Sequence, residues 1–334
     1  MRAKGTIMRR GTRGIALAIV AVVALTALPA VAGEKVTLRI ASVSGPAHHH
    51  NAALRWYAER VAAKSNGRLD LKVLDGAQLG GERDYIEGMI LGSIEMAQVS
   101  TGPVAGFIPE FDLFSLPYIF RDTDHFVKVV NSPVGVRFFE LLEKRGIKGL
   151  CWFDNGYRNV FNSKKPIKTP EDMKGMKIRV MESPIMVDTI NAMGGSATPM
   201  AYGELYTAIQ QGVLSGAENA PGNVFNDKFY EVTKFYSLTN HFRPPGVVVV
   251  SLKVWNRLNK ADQQVLLDEA KALQTYEIEL TQKVEKESLE NLKTKGMQLN
   301  EVDLDAFRKA VKPVHDKFAA KHGQELIRQV LDTK

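Results

Sequence analysis

Met173-Lys174-Gly175-Met176-Lys177-Ile178-Arg179-Val180 is the stretch on which the fold of this 334-residue chain turns. Lys177 to Met181 alternates polar and apolar as a strand does. Arg179 stands near the strand's end, and its neighbours Ile178 and Val180 point to the opposite face. Just upstream, Thr169-Pro170-Glu171-Asp172 has the makings of a helix start: a capping Thr, a Pro suited to the first helical position, and acids that favour the dipole. Downstream, Ser183 to Met193 and Gly203 to Gln211 carry helical spacing. A strand set between helical segments is the unit of an α/β protein.

The same alternation runs outward from that strand. Val36 to Ile40, Leu69 to Leu74, Ile94 to Val99, Ile147 to Phe153 and Val160 to Asn162 read as strands, with helices over Asn51 to Ala63 and Gly81 to Leu91. The pattern predicts an α/β fold with largely parallel sheets. Pro244-Pro245-Gly246 breaks the chain before the β run Val247 to Val250. Ala261 to Lys295 then holds helical periodicity far beyond the average domain helix. A helix of that length can lie across two domains and tie them, with its charged side solvated. Hydrophobic residues at 45% supply enough material for two cores.

The net charge of +7 first suggests a nucleic-acid or membrane partner. The leader explains it instead. Arg2, Lys4, Arg9, Arg10 and Arg13 precede any acid, Gly14 to Leu28 is weakly polar to apolar, and Pro29-Ala30-Val31-Ala32-Gly33 offers cleavage after Ala32. That is the build of a secretory signal peptide over residues 1–32, too short for a spanning helix. An uncleaved anchor is the alternative, and Met8 is a second candidate start. Cleavage takes the basic count from 44 to 39 against 37 acids, a charge of +2. No later stretch clusters Lys and Arg with stacking aromatics, so no nucleic-acid partner is expected. The lone Cys151 lies in an apolar run, is expected to be buried, and can form neither an internal disulfide nor a lipid anchor at the new N-terminus. The product reads as exported, soluble and periplasmic.

No G-x-S-x-G elbow, H-E-x-x-H helix or informative Cys–His spacing is present. An exported α/β chain with two cores and no catalytic motif fits a binding protein that closes like a clamp. An exported enzyme or sensor on the same fold is the competing class.

The segment Gly156 to Asn219 goes further. It holds Gly156-Tyr157-Arg158, Pro166-Ile167, the Met173–Val180 stretch, Gly194-Gly195, Ala197-Thr198-Pro199-Met200, Glu204 to Gly212 and Gly216-Ala217-Glu218-Asn219. With Gln78 to Arg83, Leu91 to Met96 and Leu116 to Phe120, this resembles the solute-binding proteins of tripartite ATP-independent periplasmic (TRAP) transporters, the DctP type, over nearly all the mature chain. The resemblance implies a two-lobed, type II-like periplasmic binding protein that performs no chemistry and needs no cofactor or metal. It would deliver a small organic acid to TRAP permease subunits driven by an ion gradient. The lobes expected are 33–155 with 242–283, and 156–241 with 284–334, the helix 261–295 spanning both. A monomer is expected.

The resemblance also points to site residues. Arg179 would hold the ligand carboxylate, because a guanidinium offers two parallel charge-assisted hydrogen bonds that Lys cannot. Arg158 would be a second ligand arginine, a hinge salt bridge being the alternative. Asn219, which both donates and accepts, would contact the ligand unless it only forms a turn. Glu82 would accept from ligand hydroxyls or else favour a helix dipole. Tyr202 would pack on the ligand. Within His48-His49-His50, His48 is the candidate for a single ligand contact. A metal on the run is not expected, since adjacent histidines point different ways. Glu182 would repel a second ligand carboxylate unless paired. These roles favour a hydroxylated monocarboxylate such as a uronate or sugar acid, with a C4-dicarboxylate as the alternative.

Overall fold

Val36–Ala41 (β1) runs parallel to Leu69–Leu74 (β2) and to Met96–Ser100 (β3), and the helix His49–Lys64 makes the first crossover. The computed structural model describes residues 1–3, 5–6 and 34–334. The apolar run and cleavage signal of the leader lie outside the described residues. Ile147–Phe153 (β4) completes this first sheet, and Gly246–Ser251 (β10) inserts antiparallel between β3 and β4, giving the order β2-β1-β3-β10-β4. A second sheet comprises Arg158–Asn162 (β5), Lys177–Val180 (β6), Ser196–Pro199 (β7), Gly216–Asn219 (β8), Phe235–Phe242 (β9) and Gln298–Asn300 (β11). Its order is β11-β9-β5-β8-β6-β7.

The expectation of largely parallel sheets needs correcting. β5 is antiparallel to both neighbours, β8 and β9, and β10 is antiparallel to both of its own. These are the strands by which the chain enters and leaves the second sheet. It crosses between Phe153 and Arg158 and returns between Phe242 and Gly246. Thr169-Pro170-Glu171-Asp172 starts only a short 3₁₀ turn, Pro170–Met173, in which the Thr169 side chain makes no cap hydrogen bond and Asp172 instead accepts the Thr169 N–H at 3.1 Å.

Burial follows the pleat. Val248 and Val250 of β10 face a core shared with Leu54, Tyr57 and Val61 of the first helix, whereas Val247 and Val249 face Phe111, Phe114 and Phe138. With helices on both sides, β10 reads as an unbroken apolar run. Each fully buried Val contributes about 1.5–3 kcal/mol of hydrophobic stabilisation.

The 35-residue helix Lys260–Thr294 begins with the Asn259 side chain accepting from Asp262 N–H. At about 52 Å it is long enough to reach both sheets. Leu266 and Leu273 pack beneath the first sheet, and Leu292 packs with Phe161 and Tyr236 of the second. The C-terminal segment also touches both sides. Phe307 and Val311 share a core with Met186 of the second-sheet side, while the carbonyls of Val330 and Leu331 accept from His125 and Arg121.

Candidate functional site

The carboxyl ends of β1 and β3 point toward the second sheet, and the crevice outside such strand ends is where open α/β sheets bind ligands. Val43 and Ser44 follow β1, Ser100 ends β3, Asn155 follows β4, and Glu82 begins the helix Glu82–Leu91. Opposite them, β8 and β6 run parallel and β5 antiparallel. This brings Asn219, Arg179 and Arg158 to the same sheet edge. The residues line one cavity enclosing about 400 Å³, part of it open to solvent. Arg179, Arg158, Asn219, Glu82 and Tyr202 are all on its wall.

The two arginines have different surroundings. Arg158 is gripped by Glu218, with Nε to Oε2 at 2.5 Å and Nη2 to Oε1 at 2.8 Å. Nη2 also donates to the Glu218 carbonyl and Nη1 to Asn219 Oδ1, both within 2.8 Å. Only one N–H of Arg158 remains uncommitted. The salt bridge named as the alternative for Arg158 thus forms, because the register Val160↔Glu218 sets a buried carboxylate beside it.

Arg179 is 2% exposed and makes no ion pair among the described residues. Its Nε and Nη2 both donate to the Met200 carbonyl, at 2.8 and 2.6 Å. Nη1 is buried with no partner. The end of the fork formed by Nη1 and the outer hydrogen of Nη2 is thus free, the geometry that pairs with a carboxylate. Burial, and then repulsion from Arg158, lowers its pKa to about 10, leaving it charged at neutral pH. Its guanidinium lies 5.6 Å from the centre of the Tyr202 ring.

Glu82 is buried, and its Oε1 accepts the Ser100 N–H at 2.5 Å. Burial raises its pKa, against the pull of that hydrogen bond and of both arginines. Its other oxygen remains an acceptor for a hydroxyl. Gln98, Ser100, Asn155, Asn223, Ser44 and His50 complete a wall rich in neutral hydrogen-bonding groups, with Val43 and Met181 as the apolar patches.

His48 does not line the cavity; His50 does. His48 caps the first helix, its Nδ1 accepting the His50 N–H at 3.1 Å, while Nε2 donates to Asn223 Oδ1 at 2.9 Å. The capping bend folds His48 back onto its neighbours, so the three rings lie 4.3–4.6 Å apart rather than diverging. Side-chain nitrogens of all three fall within 4.8 Å of one another. Yet His48 spends both nitrogens on the protein, and His49 Nδ1 accepts from Asn226, so few lone pairs remain for a metal. Burial lowers the pKa of His48 and of His50 to about 4, which keeps them neutral. Glu182 lies off the cavity and pairs with Arg83 at 3.7 Å. Cys151 is buried, and burial raises its thiol pKa far above the ordinary value.

Glu218, Asn223, Asn155 and Gln98 were not legible as site residues. Asn223 carried a faint signal, since it sits four residues after Asn219 across a Pro that starts a helix. The others depend on strand register.

A two-lobed α/β fold with a polar, arginine-bearing cleft and a helix spanning both lobes defines a periplasmic-type solute-binding protein. The family model described as bacterial extracellular solute-binding protein, family 7 (DctP) matches residues 40–322, and the chain belongs to this family. Its members bind solutes for TRAP transporters and are not enzymes. A TRAP periplasmic solute-binding protein from Polaromonas sp. JS666, solved with D-erythronate, is 34% identical, with TM-score 0.88, covering 90% of this chain and 99% of that one. One from Chromohalobacter salexigens, solved with D-glucuronate, is 33% identical with TM-score 0.86, covering 89% and 100%. The C4-dicarboxylate-binding periplasmic protein DctP of Rhodobacter capsulatus is 31% identical, covering 96% of this chain and 98% of its own. Among the described residues, no helix is long and apolar enough to cross a membrane.

Proposed function

We propose that this protein captures a hydroxylated monocarboxylate, a uronate or other sugar acid, and hands it to TRAP permease subunits. The observation that carries this reading is the asymmetry of the arginines. Arg179 offers a free, charged N–H pair, while Arg158 is neutralised by Glu218. One uncompensated cation suits one carboxylate. Glu82 and the neutral amides and hydroxyls suit a polyhydroxylated remainder, and Glu82 disfavours a second negative charge. The relatives solved with D-erythronate and D-glucuronate support the same class.

In this reading the lobes are 33–155 with 242–283 and 156–241 with 284–334. They close on the ligand about the crossing segments, because the ligand meets both walls only when shut. Residues 1–32 are a cleaved leader, and the mature protein acts in the periplasm as a soluble monomer without a lipid anchor or nucleic-acid partner. The second reading is a C4-dicarboxylate, favoured by the Rhodobacter relative and by the one free N–H of Arg158.

The test is a thermal-shift panel on the mature chain with uronates, aldonates, C4-dicarboxylates and keto acids, since a native-state binder raises the melting temperature by mass action. Sugar acids are expected to give the largest shifts. A larger shift with succinate installs the second reading, and no shift with any acid removes both.

A further inference from the structure

His48-His49-His50 is the motif that ligand binding leaves unexplained. The first helix, on which the run sits, packs against the first sheet through Leu54, Tyr57 and Val61. The helix Pro221–Asn226 and the following Asp227 belong to the other side, where Val224 packs with Phe161 and Ala217 of the second sheet. The two helices meet through a short series of direct contacts. His48 Nε2 donates to Asn223 Oδ1 at 2.9 Å, and Asn226 Nδ2 donates to His49 Nδ1 at 3.0 Å. Gly45 N–H, in the loop after β1, donates to Asp227 Oδ1 at 3.2 Å. His48 Nε2 lies 4.0 Å from Asp227 Oδ2.

The approach is close enough to demand small residues. A Cβ on Gly45 would lie 2.9 Å from Asp227 Oδ1, and one on Gly222 would lie 2.9 Å from Val284 and 3.4 Å from His49. We propose that Gly45, His48 and His49 on one lobe, with Asn223, Asn226 and Asp227 on the other, form a latch that holds the clamp shut and sets the rate of ligand release.

The latch is wired to both arginines. Asn223 Nδ2 donates to Asn219 Oδ1 at 2.7 Å, the same atom that accepts from Arg158 Nη1 at 2.8 Å. Tyr202, whose ring faces the Arg179 guanidinium, donates through its hydroxyl to Asp227 Oδ2 at 2.6 Å. A ligand that fixes the arginines therefore also fixes Asn223 and Asp227 where His48 and Gly45 meet them. His48, His49, Gly45 and Asp227 are absent from the cavity wall, so their action on affinity runs through closure. They are positioning residues. Such contacts form after encounter and break before escape, so they act on dissociation rather than association.

The inference rests on the clamp reading above, and the experiment separates the two. Stopped-flow tryptophan fluorescence would follow D-glucuronate, D-erythronate and succinate, the tightest binder being used for kinetics. His48→Ala, Asp227→Ala and Gly45→Ala are each expected to raise the off-rate about 10-fold or more, with the on-rate within about 3-fold of the parent. The double variant H48A/D227A is expected to fall well short of the product of the single effects, the signature of one shared contact set. Asn226→Ala, which removes a single hydrogen bond made by a half-buried side chain, guards against a misfolded variant and is expected to show the same split at smaller size. Unchanged off-rates in folded variants, or on-rates that fall while off-rates hold, overturn the latch and leave the binding reading standing. If the parent binds none of the three acids, the clamp reading fails and the latch with it.

Discussion

Glu218 holds Arg158 by two prongs inside the fold, Nε–Oε2 at 2.5 Å and Nη2–Oε1 at 2.8 Å. Both residues are almost fully buried. The pair converts Arg158 from a free cation into a fixed donor platform that orients Asn219. The positive charge offered to a ligand is left to Arg179, whose fork is half occupied by the Met200 carbonyl. A site with two arginines thus carries the net attraction of one.

We predict that Arg179→Ala lowers affinity for the preferred acid at least about 30-fold, read by calorimetric titration. Losing a buried, two-pronged carboxylate contact costs about 2–5 kcal/mol or more. Arg179→Lys should recover little of it, because an ammonium cannot present two parallel N–H groups. The ligand-free variant should melt no lower than the parent, since an unpaired buried charge has been removed. Near-parental affinity would take Arg179 out of the site.

Glu218→Gln should behave in the opposite way. It leaves the Arg158 charge buried without its partner, and breaking such a pair by removing one member costs about 3–5 kcal/mol. Urea unfolding of the ligand-free protein should show an earlier midpoint with an unchanged slope. The variant should also shift preference toward succinate, because two cations now face the cleft. An unchanged midpoint would mean that the ion pair contributes little to the fold.

How far the sequence spoke depended on whether a feature is local. The long helix, the helix over Pro184–Ala192 and the strand bearing Arg179 are set by neighbours in the chain, and each was legible. Glu218 lay in plain view beside Asn219, yet its partnership with Arg158 arises from the pairing of strands about 60 residues apart. Local pattern does not encode that register. The histidine run failed differently. All three residues are apolar-compatible when neutral, and only the cap geometry at His48 decides that His50 faces the cavity. Strand direction was misjudged because a crossing strand buried on both faces, such as β10, reads as the same unbroken apolar run that a parallel strand does.

Glu82→Gln should test how the cleft reads the uncharged part of its ligand. The change keeps an oxygen for Ser100 N–H but weakens the acceptor offered to hydroxyls. A hydrogen bond to a charged group contributes about 1.5–3 kcal/mol, roughly 10- to 100-fold. Sugar-acid affinity should fall by about that factor while succinate affinity holds or rises, so the ratio of the two narrows. A uniform loss across both classes would instead make Glu82 a support for the cavity wall.

Gly156 sits in the first crossing segment with φ of +73°, a region that L side chains rarely adopt. A Cβ there would lie 2.2 Å from Glu285 Oε1 and 2.8 Å from Ala220 Cβ. Glu285 also accepts the Tyr157 N–H at 2.8 Å, so the long helix anchors the crossing at this point. Gly156→Ala should therefore destabilise by about 1–3 kcal/mol through backbone strain. Displacement of Glu285 would add to that. Thermal melting of the ligand-free variant within 1 °C of the parent, on the order of error for a protein this size, would show that the crossing yields easily.

Asp112 gives a pH test. It is 4% exposed, and its Oδ1 accepts from Ser183 Oγ at 2.9 Å. Burial raises its pKa to about 6 from the ordinary 3.8, and the Ser183 bond and Lys321 offset only part of that. A carboxyl whose folded pKa is raised binds more protons in the native state. It therefore contributes stability that is full below pH 3.8 and is lost as pH rises through about 6. Asp112→Asn keeps an oxygen for Ser183 and cannot ionise. The stability of the variant minus that of the parent should rise by about 2 kcal/mol between pH 4.5 and pH 7. Other titrating groups are common to both proteins and cancel in the difference. Urea unfolding of both proteins at the two pH values measures it, and a difference that is flat or falls with pH would mean that Asp112 is ionised and well solvated at its site.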